Sequence, residues 1–108
     1  MIKVISAARR HPDLLEERFK SLMRVEHAPL IAQMPNLSGY VVNFAISGVP
    51  APWDVVVELT FPDQAAFQQA LASEVGQQAL THMRELVDMG TVVSGIFEVV
   101  GDATAEPR

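Results

Sequence analysis

From Ile2 to Arg9 the chain is rich in β-branched and small apolar residues that alternate weakly, which suits a first strand buried for most of its length. His11-Pro12-Asp13 interrupts it. Asp13 followed three residues later by Glu16 reads as a capping box. It opens a helix in which Leu15, Phe19, Leu22, Met23, Glu26 and Leu30 recur at three- and four-residue steps as one core-facing stripe. Glu26 is out of place there unless it is paired, with a base such as Lys3 or Arg24, exposed past the helix end, or functional. Pro29 has no amide donor and its ring clashes with the carbonyl four residues back, so the helix should kink or end at this point. That places His27 at a helix terminus, a position from which a titratable ring is both held and reachable by a ligand.

Beyond the turn-forming Pro35-Asn36 and Ser38-Gly39, period-two alternation takes over. Tyr40, Val42, Phe44 and Ile46 fall on one face of a second strand, and Val41, Asn43, Ala45 and Ser47 on the other. The loop from Gly48 to Trp53 reverses the chain into a third strand, Asp54 to Phe61. Symmetric pairing about that loop sets Glu58 opposite Asn43 on an otherwise apolar face. Pro62-Asp63 stops the strand and caps a helix with Ala66, Phe67, Ala70 and Leu71 inside. Ser73 recaps it, and Glu74 to Val87 continues past a weak point at Gly76. A fourth strand, Thr91 to Val100, follows the turn at Asp88 to Gly90. Residues 1–101 thus read as one domain and 102–108 as a flexible tail.

The order β-α-β-β-α-β is that of a ferredoxin-like α+β fold, a four-stranded antiparallel sheet with two helices on one face. The face away from the helices carries Val41, Ala45, Val56 and either Val92 and Ile96 or Val93 and Phe97, more apolar surface than a soluble monomer leaves open. A homodimer packed sheet to sheet would bury it, with Asn43 and Glu58 in or near the cavity between sheet and helices.

Composition narrows the function. Thirteen acidic against eight basic residues give a net charge of −5, which argues against a nucleic-acid partner. No segment is apolar enough for a signal peptide or a membrane span, and no cysteine supplies a thiolate, disulfide or zinc–sulfur site, so a cytoplasmic protein without a membrane partner is expected. His11, His27 and His82 lie in a loop, at a helix end and on an exposed helix face, without metal-site spacing; neither a metal nor another cofactor is expected. His27 reads as a general base or as a helix-end histidine bonded to a carbonyl or to Glu26. Glu58 reads as a proton shuttle with a raised pKa or as a structural partner of Asn43. Tyr40 reads as core packing with a reaching hydroxyl, and Trp53 as a pocket lid or a dimer contact.

Phe19, then His27-Ala28-Pro29-Leu30 eight residues later, then Pro35-Asn36-Leu37 leading to Tyr40 and Asn43, resembles the EthD-like members of the dimeric α/β-barrel superfamily. So does the run from Glu58 to Asp63 entering a helix with Phe67, and the Ala72-Ser73 to Gly76 segment; the likeness covers roughly Ile2 to Val100. The resemblance implies a ferredoxin-like protomer and a homodimer closed through its sheets. Relatives include proteins associated with ether degradation, polyketide cyclases and small monooxygenases that need no metal or flavin. Carried over, His27 and Pro29 match a His-x-Pro motif and Glu58 a carboxylate of the third strand, making His27 and Glu58 the catalytic candidates. Met23 stands where an aromatic residue is common, a departure that alters the pocket. Tyr40, Asn43, Trp53 and Met23 are the candidate ligand-binding residues. The expected ligand is a small, largely apolar, oxygenated organic molecule. The expected activity is cofactor-independent proton transfer or oxygenation, and the alternative is a non-catalytic carrier or accessory role beside a catabolic enzyme.

Overall fold

The computed structural model describes residues 1–101, and the tail assigned to 102–108 lies outside the described residues. Four strands, β1 (Ile2–Ala8), β2 (Gly39–Phe44), β3 (Val55–Phe61) and β4 (Val93–Glu98), form one antiparallel sheet in the order β2-β3-β1-β4. Both β-α-β connections place their helices on the same side, so the expected ferredoxin-like architecture is present. No helix among the described residues is long and apolar enough to cross a membrane.

The first helical segment departs most from its sequence pattern. No capping box forms. Asp13 instead donates its amide to His11 Nδ1 at 3.1 Å, and α1 (Glu16–Leu22) begins after Leu15 without a side-chain cap. Leu14, not Leu15, packs against the core, and Leu15 is 79% exposed. Nor does Pro29 end the helix. α1 runs into a π turn (Met23–His27), closed by the Ala28 amide on the Met23 carbonyl, and then into a last α turn, α2 (Ala28–Ile31). Each four-residue step overshoots one turn by about 40° at 3.6 residues per turn, so Phe19, Met23, His27 and Ile31 would drift off a common face in a regular helix. The wider turn absorbs this drift, all four are buried, and Glu26 is turned out to solvent. It also falls just before the proline, where a regular turn would set the ring against a carbonyl.

Later capping signals are realised. Asp63 Oδ1 accepts from the Ala66 amide at 2.8 Å at the start of α3 (Gln64–Ala72), and Ser73 Oγ from the Gly76 amide at 3.1 Å at the start of α4 (Glu74–Leu86). A 3₁₀ turn (Met89–Thr91), capped by Asp88, delays β4 by two residues relative to the sequence pattern.

Tyr40, Val42 and Phe44 of β2 and Val55, Val57, Leu59 and Phe61 of β3 face the helices, where two core clusters form. One gathers Val4, Ile31, Met34, Phe61, Ala66, Ala70 and Ala79; the other gathers Ala8, Phe19, Met23, Val55, Leu86 and Val87. The hairpin register differs from symmetric pairing: Asn43 lies opposite Val56, and Val41 opposite Glu58. Because this slip is of two residues, the assignment of faces survives it. On the face away from the helices Val41, Val93 and Phe97 are each half exposed or more. Of the two alternatives left open for β4 it is Val93 and Phe97 that sit there, while Val92 packs into the second cluster.

Candidate functional site

Between the two core clusters the sheet and helices do not close on each other. A cavity of about 430 Å³ remains, floored by Val4 and Ser6 of β1 with Val57 and Leu59 of β3, and roofed by side chains of the helical layer, among them His27, Ile31 and Met83. Ser94 and Ile96 of β4 form its outer wall and stay exposed. Apolar groups dominate, and the side chains that carry nitrogen or oxygen into it are His27, Tyr40, Ser6 and Ser94. The two serine hydroxyls bond each other across the β1–β4 pair at 2.6 Å.

The π turn delivers His27 to this cavity. The ring is 5% exposed, and burial, with the His82 ring beside it, pulls its pKa down from 6.5 to about 4, so it is neutral at pH 7. Its Nδ1 lies 3.0 Å from His82 Nδ1. Helix α4 therefore does not present His82 simply to solvent, as expected; it brings the ring against His27, 55 positions earlier in sequence. His82 is the functional candidate missed by sequence reasoning. A signal was available, since His82 immediately precedes Met83 of the inner stripe and lies three residues after the buried Ala79.

Tyr40 enters from β2. Its hydroxyl is enclosed and has no hydrogen-bond partner among the described residues, and burial raises its pKa to about 12. A neutral phenol with an unused donor in an apolar hollow is an energetic liability unless something occupies the site.

The remaining candidates are dispersed. Glu58 and Asn43 do meet, Asn43 Nδ2 donating to Glu58 Oε2 at 3.1 Å, but on the sheet face opposite the cavity. There Glu58 also pairs with Lys3 at 3.4 Å, so one of the two bases considered for Glu26 is engaged by Glu58. The error arose from strand parity: even positions of β3 point away from the helices, so a carboxylate at 58 cannot share a hollow with His27. Trp53 is half-buried in the β2–β3 loop and does not line the cavity. Met23 is buried one turn before His27 beside a much smaller void of about 30 Å³ that His27 also touches. No group of three or more His, Cys, Asp or Glu among the described residues is placed to hold a metal.

Fold and site together define a ferredoxin-like α+β protein with an apolar cavity between sheet and helices, open along β4. The family model of the EthD domain matches residues 11–90, and the chain belongs to the EthD family. A comparison with curated proteins finds no significant match. Among solved structures it is similar to an EthD family protein from Bacillus halodurans C-125, with a TM-score of 0.78 and 22% identity over 93% of this chain and 99% of that one. It is also similar to SnoaB, a cofactor-independent oxygenase from Streptomyces nogalater (TM-score 0.71, 19% identity, 97% of each chain). A third is a dimeric ferredoxin-like protein from Thermobifida fusca YX (TM-score 0.70, 16% identity, 91% of this chain and 90% of that one).

Proposed function

We propose that this EthD family protein binds a small, largely apolar molecule bearing a hydroxyl or carbonyl oxygen in the cavity between sheet and helices, and acts on it by cofactor-independent proton transfer with His27 as base. The supporting observation is the pairing, in one apolar hollow of about 430 Å³, of a neutral buried imidazole with a buried phenol hydroxyl that lacks a partner. In this reading Tyr40 donates to the ligand oxygen and His27 removes a proton from the ligand. A carrier role is the second reading. It is favoured by the placement of Glu58 on the other face, which leaves the cavity without a carboxylate beside its base.

Binding is tested with 2-naphthol against naphthalene, which has the same ring system but no oxygen. At a hundredfold excess over its dissociation constant a ligand stabilises the fold by about 2.7 kcal/mol. Saturating 2-naphthol is expected to raise the melting temperature by several degrees, more than naphthalene does, and Tyr40→Phe to erase the difference. Equal shifts from both compounds, or none, would refute the oxygen-reading role of the cavity. His27→Gln separates the two readings: a carrier still binds and releases its ligand unchanged, whereas the enzyme loses turnover.

In this proposal the exposed face of the sheet is where a second copy packs. The support is the exposed Val41, Val93 and Phe97 on one surface and the dimeric assembly of similar ferredoxin-like proteins. Phe97 lies over Gly95, its ring filling the space a Cβ there would occupy. Phe97→Asp should weaken association at least a hundredfold. Light scattering at micromolar concentration would then report twice the 11.8 kDa chain for the native protein and a single chain for the variant; a monomeric native protein refutes the dimer.

A further inference from the structure

The His27 and His82 rings meet head to head. Their centroid separation of 5.2 Å is about the 3.0 Å nitrogen–nitrogen distance plus one ring radius at each end, and their planes differ by 28°. Two rings lying face to face at that centroid distance would not bring their Nδ1 atoms so close. The contact is therefore an in-plane N–H···N hydrogen bond at ordinary length, which requires one Nδ1 to carry a proton and the other to be bare. The two rings also look in opposite directions. His27 lines the cavity and, with Nδ1 engaged, has Nε2 left for a ligand. His82 belongs to a shallow depression on the outer side of α4, with Glu74, Gln77, Gln78, Thr81 and Glu85.

We propose that His82 is a proton conduit joining the buried His27 ring to solvent on the outer side of α4, a positioning residue that acts through His27. The inference rests on the cavity being a ligand site with His27 as its base. A proton leaving the ligand is taken by His27 Nε2; the proton on His27 Nδ1 passes to His82 Nδ1; and the proton on His82 Nε2 goes to water in the outer depression. One proton enters the pair and one leaves it, each ring ends as the other tautomer, and neither ring is left charged; the negative charge created by the transfer rests on the deprotonated ligand, at the oxygen that Tyr40 faces. Physical need and geometry agree here, because a lone imidazole this deeply enclosed is a poor base: burial disfavours its cation. Handing the inner proton on as the outer one arrives removes that cost. The same path run backwards returns a proton to the ligand and resets the tautomers.

The test needs no ligand, so its failure is distinct from failure of the binding proposal. In full-length protein labelled with ¹⁵N-histidine at pH 7.5, two-bond couplings identify which ring nitrogen carries hydrogen. The conduit requires that exactly one of the two Nδ1 atoms be protonated at any instant, which appears as one protonated and one bare nitrogen or as a shared, averaged pair. Two rings both protonated only at Nε2 would overturn it, because no hydrogen would then lie between them. In His82→Phe, exchange of the His27 ring proton with water should slow at least tenfold, while His82→Ala supplied with free imidazole should recover part of the rate. Unchanged exchange in His82→Phe overturns the conduit, and the native tautomer measurement decides the matter even if that variant folds poorly.

Discussion

Replacing Gly76 by alanine is expected to destabilise the protein by about 3 kcal/mol, the upper end of what an overpacked site costs. Gly76 is buried in the first turn of α4, where a Cβ would run into the backbone oxygen of Ala70 and lie 2.8 Å from that of Leu71. Those oxygens belong to the end of α3, and main chain cannot swing aside as a side-chain tip can. Either α4 lifts away from α3 or the Ser73 cap opens. Both widen the cavity that Gly76 helps to line. The sequence had suggested only a weak point in a long helix, whereas the residue is the contact that lets two helices share a corner. Urea unfolding should show a midpoint well below the native value, while Gly101→Ala, which meets nothing within 4 Å, should leave it unchanged. Equal midpoints for Gly76→Ala and native protein would show that the helices yield at little cost.

Acid should erode stability earlier than the carboxylates alone would. An imidazole titrates near 6.5 when unfolded, and His27 in the folded chain near 4. Between these values the unfolded chain holds a proton that the folded chain does not, so stability is full above pH 6.5, falls as pH drops, and stops falling below about 4. At 1.36 kcal/mol per pH unit the loss is about 2 kcal/mol by pH 5 and about 3 kcal/mol at completion. In His27→Gln, which keeps a group able to bond His82, the pH 5 to 6.5 limb should flatten. Parallel stability curves for the two proteins would mean that His27 is not held neutral by burial. The conduit proposed above has the same root, since the enclosure that costs stability in acid also makes a solitary His27 an inefficient base.

Much of this was legible in the residues. Alternation in β2 and β3 placed Tyr40 on the helix side of the sheet, where it now reaches the cavity, and set Asn43 and Glu58 on the other. Assigning those two to the cavity contradicted that parity; the sequence pattern already held the correction. Asp63 and Ser73 were readable as caps because each satisfies an amide only three residues away. The stretch from Asp13 to Ile31 resisted the same treatment. The Asp13 carboxylate caps no amide of the helix, the Asp13 backbone N–H donating to His11 Nδ1 instead, and the stripe was projected at 3.6 residues per turn through a segment that adopts a wider one. The second histidine of the site was illegible for another reason, because pairing across 55 residues depends on how α4 packs over the π turn, and no local pattern records that.

What the sequence alone determined is whatever depends on neighbours within a few positions: the order of strands and helices, the two sides of the sheet, the caps of α3 and α4, and the family likeness spread along the whole chain. Tertiary structure decided the rest, namely the hairpin register, the π turn that rotates His27 inward and Glu26 outward, and the meeting of His27 with His82 over an apolar hollow. Local energies of about 1 kcal/mol per cap or turn are set by adjacent residues, but the orientation of a buried side chain is settled by close packing of the entire core, which only the folded chain possesses.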